Sequence, residues 1–172
     1  AGAIDVSGAV QLMTNDIDIS TGAGAGAVTF DSTIDNKSGE DNNLTIASGT
    51  GDVSLGGASA HIGTTTALGN LKVNAEAGTG DITLVGNIGT GEAAGAATVT
   101  LGQDDTAILD FDGTAYNTGA ATYTGESITL SGDGVSFITN NLAVEFADGT
   151  IVLGDDSDLT IDTCLLYTSP SP

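Results

Sequence analysis

Four apolar–polar–apolar runs begin at Ile17, Leu44, Leu71 and Val99, and the steps between them are 27, 27 and 28 residues. No other feature of this chain restricts its fold so strongly. Each run, such as Ile17-Asp18-Ile19 or Leu71-Lys72-Val73, alternates with period two. Successive side chains of a strand point to opposite faces, so such a run buries one face and leaves the other in water. The same form lies between these four, at Val28-Thr29-Phe30, Val53-Ser54-Leu55 and Ile82-Thr83-Leu84, and again from Ile128 to Ile161. The middle residue is polar throughout except at Val152. Helical spacing at i, i+3 and i+4 is sustained nowhere, which makes this an all-β chain.

The runs belong to a longer unit. GTGDVSL (49–55) returns as GTGDITL (78–84), 29 residues on, and Ile34, Ile62 and Ile88 mark a weaker third site. Toward the C-terminus Tyr123, Ile128 and Val135 are echoed by Phe146, Ile151 and Leu159, at offsets of 23, 23 and 24. A fixed period in this range is the signature of a solenoid. Three short strands per unit, joined by Gly/Asn/Asp corners, predict triangular coils of a parallel β-helix, about 23–29 residues each. One coil offers about six inward apolar side chains, each contributing roughly 1.5–3 kcal/mol when buried. Ordering its backbone costs about 1–2 kcal/mol per residue, so a single coil cannot fold alone. Stacked coils cover one another and complete one another's hydrogen-bond ladders.

The competing architecture is an antiparallel β-sandwich. Val144-Glu145-Phe146-Ala147-Asp148-Gly149-Thr150-Ile151 reads as a hairpin, with Asp-Gly between alternating strands. Hairpins account for the C-terminal third but not for the copying of GTGD at 29 residues, and the solenoid is preferred.

Charge narrows the partners. The chain carries 23 acidic residues against two basic ones, Lys37 and Lys72, for a formal net charge of −21. Nucleic acid and anionic lipid need Lys or Arg to neutralise phosphate, so no nucleic-acid partner is expected. No apolar run approaches the roughly 18–20 residues that span a bilayer, and no membrane insertion by this segment is expected. Disorder at this charge needs low hydrophobicity. Here 40% of residues are hydrophobic and regularly placed, so the chain folds. Absence of Trp and an aromatic content of 4% point to a narrow core of Ile, Leu and Val.

Candidate chemistry centres on GTGD. Glycine at a tight corner needs no ligand to explain it. A phosphate loop needs a following helix and usually a Lys, and neither is present. The calcium nonapeptide pattern is not matched in tandem. The corners are therefore read as structural, with Asp52, Asp81, Asp155, Asp156 and Asp158 kept as weak calcium candidates and no other cofactor expected.

Paired acids at Asp104-Asp105, Asp110 with Asp112, and Asp155-Asp156 with Asp158 raise a carbohydrate-active enzyme as an alternative. A lyase also wants Arg or Lys to hold an acidic sugar, and Arg is absent; no catalytic residue is assigned. His61 has no Cys or second His to join as a metal ligand and reads as a solvated corner residue. Outward Thr29, Thr45, Thr83, Thr100, Thr129 and Thr160 raise a third reading, a Thr-rich ice-binding solenoid. Thr is simply a good strand residue, and Ser54, Lys72, Ser136 and Glu145 interrupt the array.

The segments DNNLTIASGTGDVSLGG (41–57) and IGTTTALGNLKVNAEAGTGDITLVGNIGT (62–90) resemble the repeats of filamentous haemagglutinin-like adhesins and autotransporter passengers. The resemblance covers most of residues 1–163. It implies a right-handed parallel β-helix acting as a stalk or adhesive shaft, secreted or on the outer surface of a Gram-negative bacterium. It also implies a host or cell-surface glycan or protein receptor, flanking repeats of the same chain as partners, and no catalysis. The lack of Cys before Cys164 agrees, since such passengers cross membranes unfolded. Composition changes abruptly after Thr163. CLLYTSPSP (164–172) holds the one Cys and both Pro residues and resembles read-through of a sequencing adapter. Residues 1–163 are expected to be the repeat region of a longer chain, and 164–172 a non-native or disordered tail.

Overall fold

The alternating runs form short strands that wind into about six turns of a parallel β-solenoid. The computed structural model describes residues 2–76, 78–90, 93–155 and 158–163; the tail beginning at Cys164, and Asp156, lie outside them. The first coil holds β1 (Ile4–Val6), β2 (Val10–Leu12) and β3 (Asp16–Ser20), and the second β4 (Val28–Phe30), β5 (Ile34–Asn36) and β6 (Asn43–Ala47). The third has β7 (Val53–Leu55) and β8 (Leu68–Val73), the fourth β9 (Ile82–Leu84) and β10 (Ala96–Leu101). The fifth holds β11 (Ile108–Phe111), β12 (Ala115–Thr118) and β13 (Ala120–Thr124), the sixth β14 (Ser127–Leu130), β15 (Val135–Thr139) and β16 (Val144–Ala147). β17 (Thr150–Leu153) and β18 (Leu159–Asp162) follow.

Equivalent strands stack into three faces. One is a seven-stranded sheet ordered β1-β4-β7-β9-β11-β14-β17, and another a six-stranded sheet ordered β16-β13-β10-β8-β6-β3. The third face joins β2-β5 to β12-β15-β18 through parallel bridges Ile34–Ile62, Ile62–Ile88 and Ile88–Tyr116. The weak third site of the sequence is thus a real face, reduced to single bridged residues in coils three and four. Register follows the sequence steps: Ile17 pairs with Leu44, Leu44 with Leu71, and Leu71 with Val99.

The antiparallel sandwich is ruled out by this pairing, because every strand ladder among the described residues is parallel. Val144–Ala147 pairs with β13 and Thr150–Leu153 with β14, on different sheets, so the hairpin reading of 144–151 is wrong. Asp148, at φ 61°, turns the chain through a corner instead. Asp-Gly makes corners as readily as hairpins, since both need left-handed backbone.

Burial follows the alternation. In β7 and β9 the outer two residues are buried while Ser54 and Thr83 stay half-exposed. In the early coils the core is a single column dominated by Ile, Leu and Val, with Phe30 as its one ring. In the last coils it is aromatic, which the expectation of an aliphatic core did not foresee. Phe111 stands edge-on to Tyr116, Tyr123 and Phe137 at centroid distances of 4.7, 4.9 and 5.0 Å, and Phe146 closes the group at 5.1 Å from Phe137. These are favourable ring geometries.

Burial pushes the Tyr116 and Tyr123 phenols well above their ordinary value. Unfolding releases them to titrate near pH 10, so the stability they contribute is complete below about pH 10 and falls as pH rises beyond it. In an alkaline ultraviolet titration, these two phenols should stay un-ionised until the fold itself is lost. Ionisation of both with the melting curve unchanged would contradict their burial.

Candidate functional site

The GTGD corners carry structural work in each of their positions. Gly49 has φ +64°, and Gly78 φ +134°, backbone that favours glycine. Gly51 and Gly80 are required for a different reason. A Cβ on Gly80 would lie 2.0 Å from the Gly51 carbonyl oxygen, and one on Gly51 would lie 2.5 Å from that of Gly26. Three coils touch backbone to backbone there. Asp52 Oδ1 accepts the Asp81 amide at 3.1 Å, and Asp81 Oδ1 accepts the Ile108 amide at 3.1 Å. Each GTGD aspartate therefore caps the next coil. Beneath the first corner, buried Asn74 accepts the Ser48 amide at 2.9 Å, and Ser48 Oγ in turn donates to the Gly51 carbonyl.

Asp81→Asn keeps the accepting oxygen, so it should leave stability nearly unchanged, whereas Asp81→Ala should cost about 0.5–1.5 kcal/mol. Urea melts check this. Equal losses would mean that charge, not the amide bond, is what matters at this corner.

The remaining calcium candidates are dispersed. Asp155 and Asp158 are both exposed near β18, and Asp156 lies outside the described residues. No group of three or more His, Cys, Asp or Glu side chains with metal-ligand geometry forms among the described residues. Of the paired acids, Asp104 and Asp105 sit in an exposed turn, and Asp110 Oδ1 accepts the Ser131 hydroxyl at 2.6 Å.

His61 is not simply solvated. It is half-buried, and its Nδ1 accepts the Asn87 amide at 3.1 Å. One coil on, Asn87 Oδ1 accepts the amides of Thr114 at 2.8 Å and Ala115 at 3.2 Å. The two side chains occupy one position in successive coils and do the same job. They line a cleft of about 370 Å³ together with Asp112, Thr114, Val85 and Ala58.

The six-stranded face carries a hydrogen-bonded chain that sequence reasoning missed. Thr98 Oγ1 donates to Asn70 Oδ1, Asn70 Nδ2 donates to Asn43 Oδ1 at 2.8 Å, and Asn43 Nδ2 donates to Asp16 Oδ1 at 2.6 Å. Its signal was present: these residues immediately precede Ile17, Leu44, Leu71 and Val99. The outward Thr residues are split over all three faces. Thr29 and Thr83 share a row with Ser54 and Asp110, while Thr45 and Thr100 flank Lys72 on another sheet. Thr160 stands beside Ser136 on the third. Both cations are paired, Lys37 with Glu40 and Lys72 with Glu76, each at 3.6 Å. Exposed pairs of this kind add little to stability.

No protein-family model matches this chain, and no curated protein or solved structure matches it.

Proposed function

We infer that residues 1–163 form a structural and adhesive repeat segment of a secreted or cell-surface bacterial protein, without catalytic activity. The observation that carries this reading is the stacking itself: about six coils present in-register rows of short polar side chains on a rigid shaft. Rows such as Thr29, Ser54, Thr83 and Asp110 recur at the strand spacing, a surface suited to repeated weak contacts. A solenoid lengthens by adding coils without redesigning its core, which suits a stalk. The acids of the corners support the reading too, since Asp52 and Asp81 are engaged in capping amides. A Gram-negative outer surface, with a glycan or protein receptor and flanking repeats as neighbours, fits the resemblance of residues 41–57 and 62–90.

The test couples the purified chain to beads. The beads are offered to a glycan array and to epithelial cells, while the free chain is incubated with polysaccharides and reducing ends are counted. Adhesion above that of beads carrying an unrelated acidic protein, without release of reducing ends, is expected. Release of sugar would overturn the reading, and so would adhesion no better than the control.

A further inference from the structure

We propose that the cleft lined by His61, Asn87, Asp112 and Thr114 binds one neutral sugar ring through its neighbouring hydroxyls. This rests on the adhesive reading above and assigns it a ligand class and a place. His61 and Asn87 are held by hydrogen bonds from backbone amides, and each polar side chain of the cleft has further capacity. Because His61 Nδ1 accepts the Asn87 amide, the neutral ring carries its proton on Nε2, a donor. Asn87 Oδ1 is committed to the Thr114 and Ala115 amides, which orients the amide and leaves the two Nδ2 hydrogens to donate. Asp112 is held through its own amide, which donates to the Leu84 carbonyl at 3.0 Å, and its exposed carboxylate accepts. Thr114 adds a hydroxyl that does both.

Between Asp112 and Thr114 the floor is bare backbone. A Cβ at Gly113 would lie 2.7 Å from Asn87 Oδ1, and the Gly113 amide donates to the buried Tyr116 hydroxyl at 2.8 Å. Ala58 and Val85 supply a small apolar patch for the C–H edge of a ring.

Donors at His61 and Asn87, an acceptor at Asp112 and apolar Ala58 and Val85 in one cleft match hydroxyls that each donate once and accept. An anion is disfavoured by Asp112 and by the chain's charge of −21. A volume of about 370 Å³ is near the lower end of the roughly 300–1,000 Å³ of ligand sites, which limits the occupant to one ring.

The test is an amide NMR titration of the whole 172-residue chain with glucose, galactose, mannose and N-acetylglucosamine in turn. Concentrations run to roughly 100 mM, well above a millimolar Kd. At least one sugar should shift the amides of His61, Asn87 and Asp112–Thr114 saturably. Asp112→Ala, an exposed substitution, should weaken that response by about tenfold or more, and Asp105→Ala in the distant turn should not. No shift at these amides with any of the four sugars would overturn the proposal. So would a response that persists in Asp112→Ala. Bead adhesion undiminished in Asp112→Ala would overturn the cleft assignment alone and leave the adhesive reading standing.

Discussion

Phe111→Ala should cost about 3–5 kcal/mol, the range for deleting a buried aromatic ring. Phe111 is fully buried and stands edge-on to three rings, Tyr116, Tyr123 and Phe137. Its removal leaves a cavity that three stacked coils cannot close, because their backbones are tied by parallel ladders on both sides of β11. The Tyr116 hydroxyl, which donates to the Leu84 carbonyl at 3.2 Å and accepts the Gly113 amide, also loses the ring that braces it. Urea unfolding of the whole chain measures the loss. A cost below about 1 kcal/mol, that of an ordinary substitution, would show that the aromatic cluster does not hold these coils together.

Leu84→Ala should cost about 2–5 kcal/mol, and Thr83→Ala much less. The two are adjacent on β9, but Leu84 is fully buried between Leu55 and Phe111, while Thr83 faces outward between Ser54 and Asp110. The difference between the two variants is more informative than either value, since effects on the unfolded chain are small beside it. Equal costs would mean that the buried face of the strand is assigned wrongly.

Much of this architecture was legible because strand register and repeat length are the same quantity in a solenoid. The step from Ile17 to Leu44 to Leu71 in sequence is the hydrogen-bonded register of β3, β6 and β8. The aspartates of GTGD were legible as corner residues, but not as caps for the next coil, because a single sequence does not show which amide a carboxylate faces. In the sequence Gly51 and Gly80 are simply glycines of a corner. Their true constraint is the approach of neighbouring coils, a contact between residues a full repeat apart. The aromatic core was hidden by averaging: few rings in the whole chain gave no hint that Phe111, Tyr116, Tyr123, Phe137 and Phe146 meet in one place. The His61 cleft was hidden for a similar reason, since it is assembled from three coils. Its one visible sign is that His61 and Asn87 each stand one residue before the third strand site, at Ile62 and Ile88.

Cysteine cross-linking on the seven-stranded face tests the stacked-coil account most directly. Thr29, Ser54 and Thr83 face outward in register on β4, β7 and β9. Neighbouring strands put their Cα atoms about 4.8 Å apart, inside the roughly 4.4–6.8 Å that a disulfide spans. Thr29 and Thr83, two strands apart, are separated by roughly 10 Å, beyond that reach. With Cys164→Ser removing the one native thiol, the double variants Thr29→Cys with Ser54→Cys, and Ser54→Cys with Thr83→Cys, should each close an intramolecular disulfide under mild oxidation. Thr29→Cys with Thr83→Cys should not, as read by mass spectrometry of the digests. If that outer pair closes as readily as the neighbouring pairs, or if neither neighbouring pair closes, the coils are not stacked in this register and the solenoid is wrong.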